Sequence, residues 1–123
     1  MEFEELSNRV IGCAIEVHRC LGPGLLESVY TQCLARELTD ARIGFEKEKP
    51  IAVVYKKVQI DCGFRVDLMV KGRLVIEVKA VDKLLPVHQA QLLTYMKMTE
   101  SKIGLLINFN SRLLKNGLVR MAL

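Results

Sequence analysis

Two short stretches place charged groups in otherwise aliphatic runs. In Leu74-Val75-Ile76-Glu77-Val78-Lys79-Ala80, the alternation of a strand puts Leu74, Ile76 and Val78 on one face and Val75, Glu77 and Lys79 on the other. An acid and an amine thus share a face of a largely apolar strand. A desolvated charge is costly unless it is paired or bound to a metal. A salt bridge on a solvated face and a functional pair both meet that demand. The preceding stretch, Phe64-Arg65-Val66-Asp67-Leu68-Met69-Val70, adds a second acid.

Hairpin register decides whether the two acids meet. A two-residue turn at Lys71-Gly72 pairs Asp67 with Ile76 and turns the carboxylates to opposite faces. A three-residue loop, Lys71-Gly72-Arg73, sets Asp67 across from Glu77. Such loops, with glycine at positive φ, are common, and cross-strand Cβ atoms then lie about 5 Å apart. Two carboxylates at that separation repel and call for a cation. Lys79 supplies one charge. A hard divalent ion such as Mg²⁺ supplies more.

Farther along, His88, Gln91 and Tyr95 recur at spacings of three and four, on one stripe of a helix. Glu27 and Tyr30 share a face of an earlier helix. The early position of Glu27 suits a carboxylate near a helix N-terminus, and His18 is expected to complement a helix C-terminus.

The elements that position these groups follow from periodicity. Residues 6–20 and about 25–41 have helical spacing and are separated by the Gly22-Pro23-Gly24 break. From Phe45 the period becomes two. Ile51–Tyr55, Val58–Val70 and Leu74–Ala80 read as strands, with Lys56-Lys57 at a turn. Pro86 opens a helix to about Met98. Ile103–Phe109 is a nearly continuous apolar run that suits a strand buried on both faces, and residues 118–122 a short edge strand. The order α-α-β-β-β-α-β predicts a mixed α/β sheet with helices on its faces.

Composition limits the alternatives. The 123 residues, half of them hydrophobic and 26% charged, predict one globular domain over residues 1–123. The net charge is +4. Lys102, Arg112, Lys115 and Arg120 have no acid among them in residues 101–123, whereas residues 1–100 balance. That is compatible with a polyanionic partner and equally with ordinary solubilising charge. Four cysteines without a close Cys-x-x-Cys pair and only two histidines argue against zinc. Cys13, Cys20 and Cys33 are expected as free buried thiols. The acidic first residues lack the apolar core of a signal peptide, and no uncharged apolar run is long enough to span a membrane. A reducing cytoplasm is the expected setting.

Gly24-Leu-Leu-Glu27-Ser-Val-Tyr30 resembles the pattern that names the GxxExxY family. His18–Gly24, Cys62-Gly-Phe-Arg-Val-Asp67, Ile76–Ala80, Leu84–Tyr95 and Gly104–Phe109 are similar to that family in the same order. The family in turn resembles the PD-(D/E)XK nuclease superfamily. The resemblance implies a restriction-endonuclease-like core, α-β-β-β-α-β, with an extra N-terminal helix. It also implies that Asp67 is the first acid, Glu77 and Lys79 the E-x-K pair, Gln91 and Tyr95 the Q-x-x-x-Y motif of the RecB-like branch, and Glu27 the acid of the first core helix. Val66 stands where the motif's name has proline.

Carried over, these positions imply Mg²⁺ or Mn²⁺ held by Asp67, Glu77 and the Val78 carbonyl, with Glu27 binding directly or through water. Lys79 would orient or deprotonate water, or contact phosphate. Gln91 and Tyr95 would position nucleic acid or water. His88 is a nucleic-acid contact, and Arg65 contacts phosphate or pairs with an acid. The expected activity is metal-dependent hydrolysis of phosphodiester bonds in DNA, or RNA. The alternative is a catalytically silent nucleic-acid-binding or protein-interaction module on the same fold. Double-strand cleavage with one site per chain would imply a homodimer.

Overall fold

The computed structural model describes residues 2–61 and 63–123, with side chains from Glu4 onward. Cys62, in one of the motifs above, lies outside the described residues. The elements in chain order are helix α1 (Glu2–Leu21), helix α2 (Glu27–Asp40), strands β1 (Phe45–Pro50), β2 (Val53–Tyr55), β3 (Val58–Ile60), β4 (Arg65–Val70) and β5 (Leu74–Lys79), helix α3 (Pro86–Met98), strand β6 (Ile103–Asn108), a 3₁₀ turn (Leu114–Gly117) and strand β7 (Leu118–Ala122).

The main sheet has the order β1-β4-β5-β6-β7. It is mixed: β5 and β6 are parallel, joined by the α3 crossover, and the other neighbours are antiparallel. The α-β-β-β-α-β core with an added N-terminal helix is therefore present as expected. Its first strand differs. The core strand is Phe45–Pro50, whereas Ile51–Tyr55 was expected, and the expected long strand Val58–Val70 is divided. Val53–Tyr55 and Val58–Ile60 pair only with each other, as a hairpin outside the main sheet. The physical reason lies in β1: its Glu-Lys-Glu-Lys sequence is a charged, solvated edge, which carries little apolar signal.

Two apolar layers clamp the sheet. Leu68, Val70, Leu74, Ile76, Val78, Leu105 and Ile107 pack under α1 and α2. Val66, Met69, Val75 and Leu106 pack under Leu92, Tyr95 and Met96 of α3. The alternation in β5 is thus as expected. Gly104 is required for α3 to approach: a Cβ there would lie 2.6 Å from Met96 Sδ and 2.9 Å from Leu92 Cδ1. Tyr30 stacks on Phe109 with centroids 4.7 Å apart, which ties α2 to the end of β6. No described helix is long and apolar enough to cross a membrane. Cys13 and Cys33 are half-buried free thiols, but Cys20 is exposed, because the last turn of α1 leaves the core.

Candidate active site

The site begins where the sheet opens. Val70 pairs with Leu74, and Leu68 with Ile76, so the hairpin has the three-residue loop. Lys71 and Gly72 both take positive φ, 51° and 66°. Continuing this register sets Asp67 across from Glu77, but the ladder stops one step short of them. The β1–β4 ladder also skips this level: Lys47 pairs with Leu68 and Lys49 with Val66, while Glu48, between them, has a φ of 54°. Asp67 therefore lies at a break on both sides of its strand.

Side chains replace the missing backbone bonds. The Asp67 amide donates to Glu77 Oε1 at 3.3 Å. The Val78 amide donates to Asp67 Oδ2 at 2.8 Å. The two carboxyl groups are close enough for each to act on the other's protonation. Glu77 is only 4% exposed. Burial, and then the charge of Asp67, push its carboxyl up to about 8. Burial also raises Asp67, and the Val78 amide and the charge of Lys79 act against that rise.

Lys79 does not form the salt bridge that a solvated pair would make. Its Nζ donates to Gln91 Oε1 at 3.0 Å, and Gln91 Nε2 donates to Tyr95 Oη at 3.1 Å. The i, i+4 spacing of Gln91 and Tyr95 on α3 makes this chain possible. Among the described residues, no ion pair links Lys79 to either acid. Glu27, at the first position of α2, is exposed. Its Oε2 accepts the Ala80 amide at 3.4 Å, so it leans toward the end of β5. Asp67 and Glu27 share a cleft of about 300 Å³ with Lys47, Glu48 and Thr31.

Two expected site residues, His88 and Arg65, have other surroundings. His88 caps α3: its Nδ1 accepts the Leu85 amide at 2.9 Å. Arg65 is exposed at the start of β4, opposite Pro50. His18 does more than complement a helix end, since its Nε2 donates to the Ser111 carbonyl at 2.7 Å. Tyr30, in the glycine-rich motif, is structural: its hydroxyl donates to the Gly22 carbonyl at 2.5 Å and accepts the Leu25 amide at 3.2 Å, fixing the turn that leads to Glu27.

Sequence reasoning missed Lys47 and Asn108. Lys47 lies in the charged stretch Glu46–Lys49, which carries no apolar signal. Asn108 is 2% exposed, and its side chain bonds both the amide and the carbonyl of Val81, holding the segment after β5. A polar residue inside the apolar run 103–109 was the available signal.

The donor set bears on a metal. Two adjacent carboxylates, one buried and one half-buried, without a matching ion pair fit a hard divalent cation, which prefers oxygen ligands. Among the described residues, no three carboxylate, imidazole or thiol groups converge closely enough to hold an ion by themselves. Main-chain oxygen or water would have to complete the set.

A family model for the PD-(D/E)XK nuclease superfamily matches residues 4–121. The chain belongs to that superfamily. Its mixed five-stranded sheet flanked by helices is consistent with the restriction-endonuclease-like fold. No curated protein and no solved structure matched the chain.

Proposed function

We propose that this chain is a Mg²⁺- or Mn²⁺-dependent nuclease of the GxxExxY type, which hydrolyses phosphodiester bonds in DNA in a reducing cytoplasm. The observation that carries the reading is the Asp67–Glu77 carboxyl pair at the strand break, Glu77 buried and Asp67 half-buried, without a salt bridge and with Lys79 two residues beyond Glu77. Superfamily membership supports nuclease chemistry.

Asp67, Glu77 and the Val78 carbonyl would hold the ion, with Glu27 on its outer side. When bound, such an ion lowers the pKa of water and neutralises charge on phosphoryl oxygens. The remaining work falls to this chain's own groups. Gln91 holds the Lys79 ammonium in place, and Lys79 orients the attacking water or meets the phosphate's negative charge. The water oxygen bonds to phosphorus, the bond from phosphorus to the leaving sugar oxygen breaks, and the water's proton is passed on while the leaving oxygen is protonated. Lys47 and Arg65 offer cations to the adjoining backbone. Cleavage of both strands would require a second copy of the chain.

The absence of a third converging ligand among the described residues favours, as a second reading, a nucleic-acid-binding module without turnover. Labelled DNA and RNA incubated with the purified chain and Mg²⁺ or Mn²⁺ separates the two. Cleavage that disappears in Asp67→Ala and Lys79→Ala supports the nuclease. Salt-sensitive binding without cleavage supports the module. Equal cleavage by all variants marks a contaminant and defeats the nuclease reading.

A further inference from the structure

The end of β6 leads from the candidate site to a second cleft. Phe109 donates its amide to the Lys79 carbonyl at 2.9 Å, and Lys79 pairs in register with Asn108. Arg112 follows four residues later, so chain length alone keeps its Cα within about 14 Å of that of Asn108. The chain then enters the 3₁₀ turn beside the C-terminal turn of α1. His18, bonded to the Ser111 carbonyl, pins the two together.

Between them lies a cleft of about 330 Å³, lined in part by Ile15, His18, Arg19, Arg112, Leu113 and Lys115. None of its lining residues is acidic. Arg19 is engaged by Glu16, but Arg112 and Lys115 form no ion pair among the described residues. Ile15 and Leu113 are 53% and 52% exposed. Uncompensated cations beside an exposed aliphatic wall match the two halves of a nucleotide: phosphate for the cations, sugar and base for the wall.

We propose that this cleft is a nucleic-acid subsite, which takes a backbone phosphate on Arg112 and Lys115 and the neighbouring nucleoside against Ile15 and Leu113. The inference rests on the nucleic-acid reading above and extends it with a second contact point, on the segment that follows the β5–β6 end carrying Lys79.

The test is fluorescence anisotropy of labelled single-stranded and duplex oligonucleotides in EDTA, where binding is read without cleavage. Wild type is compared with Arg112→Gln/Lys115→Gln. A control of equal charge change, Lys71→Gln/Lys102→Gln, alters exposed residues outside the cleft. Losing two phosphate contacts should lower the slope of log affinity against log salt by about two, and weaken binding about tenfold relative to wild type at low salt. The control should match wild type. Methyl NMR should show Ile15 and Leu113 shifting on oligonucleotide addition, which a diffuse charge effect would not produce.

Equal binding and slope in the cleft variant and wild type would overturn the subsite. So would identical losses in both variants, or methyl shifts caused by a glutamate-rich peptide and not by oligonucleotide. Absence of any binding by wild type also overturns it. Cleft-dependent binding in a protein that never cleaves DNA or RNA would leave the subsite standing and remove only the nuclease reading.

Discussion

The Val78 amide donates to Asp67 Oδ2 at 2.8 Å, at the level where the β4–β5 ladder has stopped. A bond normally made within the sheet is thereby turned to holding a carboxylate. The reciprocal bond, from the Asp67 amide to Glu77 Oε1, locks the second acid beside the first. Together they fix two carboxyl groups on rigid strands, which suits a site whose geometry must be held closely.

The acid pair should make stability depend on pH in the metal-free protein. Folding raises the Glu77 carboxyl to about 8 and raises Asp67 as well. Between the ordinary carboxylate range and about 8, the native state therefore holds more protons than the unfolded chain, and stability declines as pH rises. The stabilising contribution is complete below the unfolded value and is lost as pH climbs through the folded one. Thermal midpoints measured in EDTA from pH 5 to pH 9 should fall, and Glu77→Gln should flatten the profile. Excess Mn²⁺ should raise the wild-type midpoint most at the alkaline end, because the ion competes with protons there.

Gln91 is a positioning residue. Gln91→Ala frees the Lys79 ammonium and removes a partner of the Tyr95 hydroxyl. Lys79→Ala should reduce cleavage by roughly 10²–10⁴-fold, as for loss of a general acid–base group. Gln91→Ala should cost less and should shift the pH–rate profile. Gln91→Glu, which keeps an acceptor for Lys79, should recover part of the rate. An unshifted profile in Gln91→Ala would assign Gln91 a structural role only.

Gly104→Val should destabilise the fold by about 1–3 kcal/mol through overpacking against Met96 and Leu92. Thermal unfolding would show this as a drop of roughly 4–12 °C. Because α3 carries Gln91 and Tyr95, cleavage at a permissive temperature should also fall.

Tyr30→Phe removes the hydroxyl that joins Gly22 and Leu25 but leaves the stack on Phe109. A cost of about 1–2 kcal/mol is expected from the lost buried hydrogen bonds. The loosened turn precedes Glu27, so cleavage should decline even at temperatures where the variant is fully folded. Denaturant unfolding and cleavage assays on Tyr30→Phe and wild type check this.

Much of this arrangement was legible in the sequence. Apolar periodicity located both N-terminal helices and β6, since each buries a regular stripe or a continuous run, and Pro86 marked the start of α3. Alternation assigned the faces of β5, and Gly72 suits both hairpin loops weighed, of which the three-residue one is present. The first core strand was missed because an edge strand made of Glu46, Lys47, Glu48 and Lys49 has nothing to bury. The β2–β3 hairpin was read into the sheet because Val54, Tyr55, Val58 and Ile60 look like core residues, yet all four are exposed. The hydrogen bonds of Lys79 to Gln91 and of Glu27 to the Ala80 amide join distant segments, and no local spacing encodes them.

The account rests on a divalent cation at the strand break, and a Mn²⁺-soaked crystal tests it most directly. The account predicts an anomalous peak bridging the Asp67 and Glu77 carboxylates, absent from Asp67→Ala crystals treated alike. A well-ordered site with no peak there, or with Mn²⁺ bound only elsewhere on the surface, would contradict it.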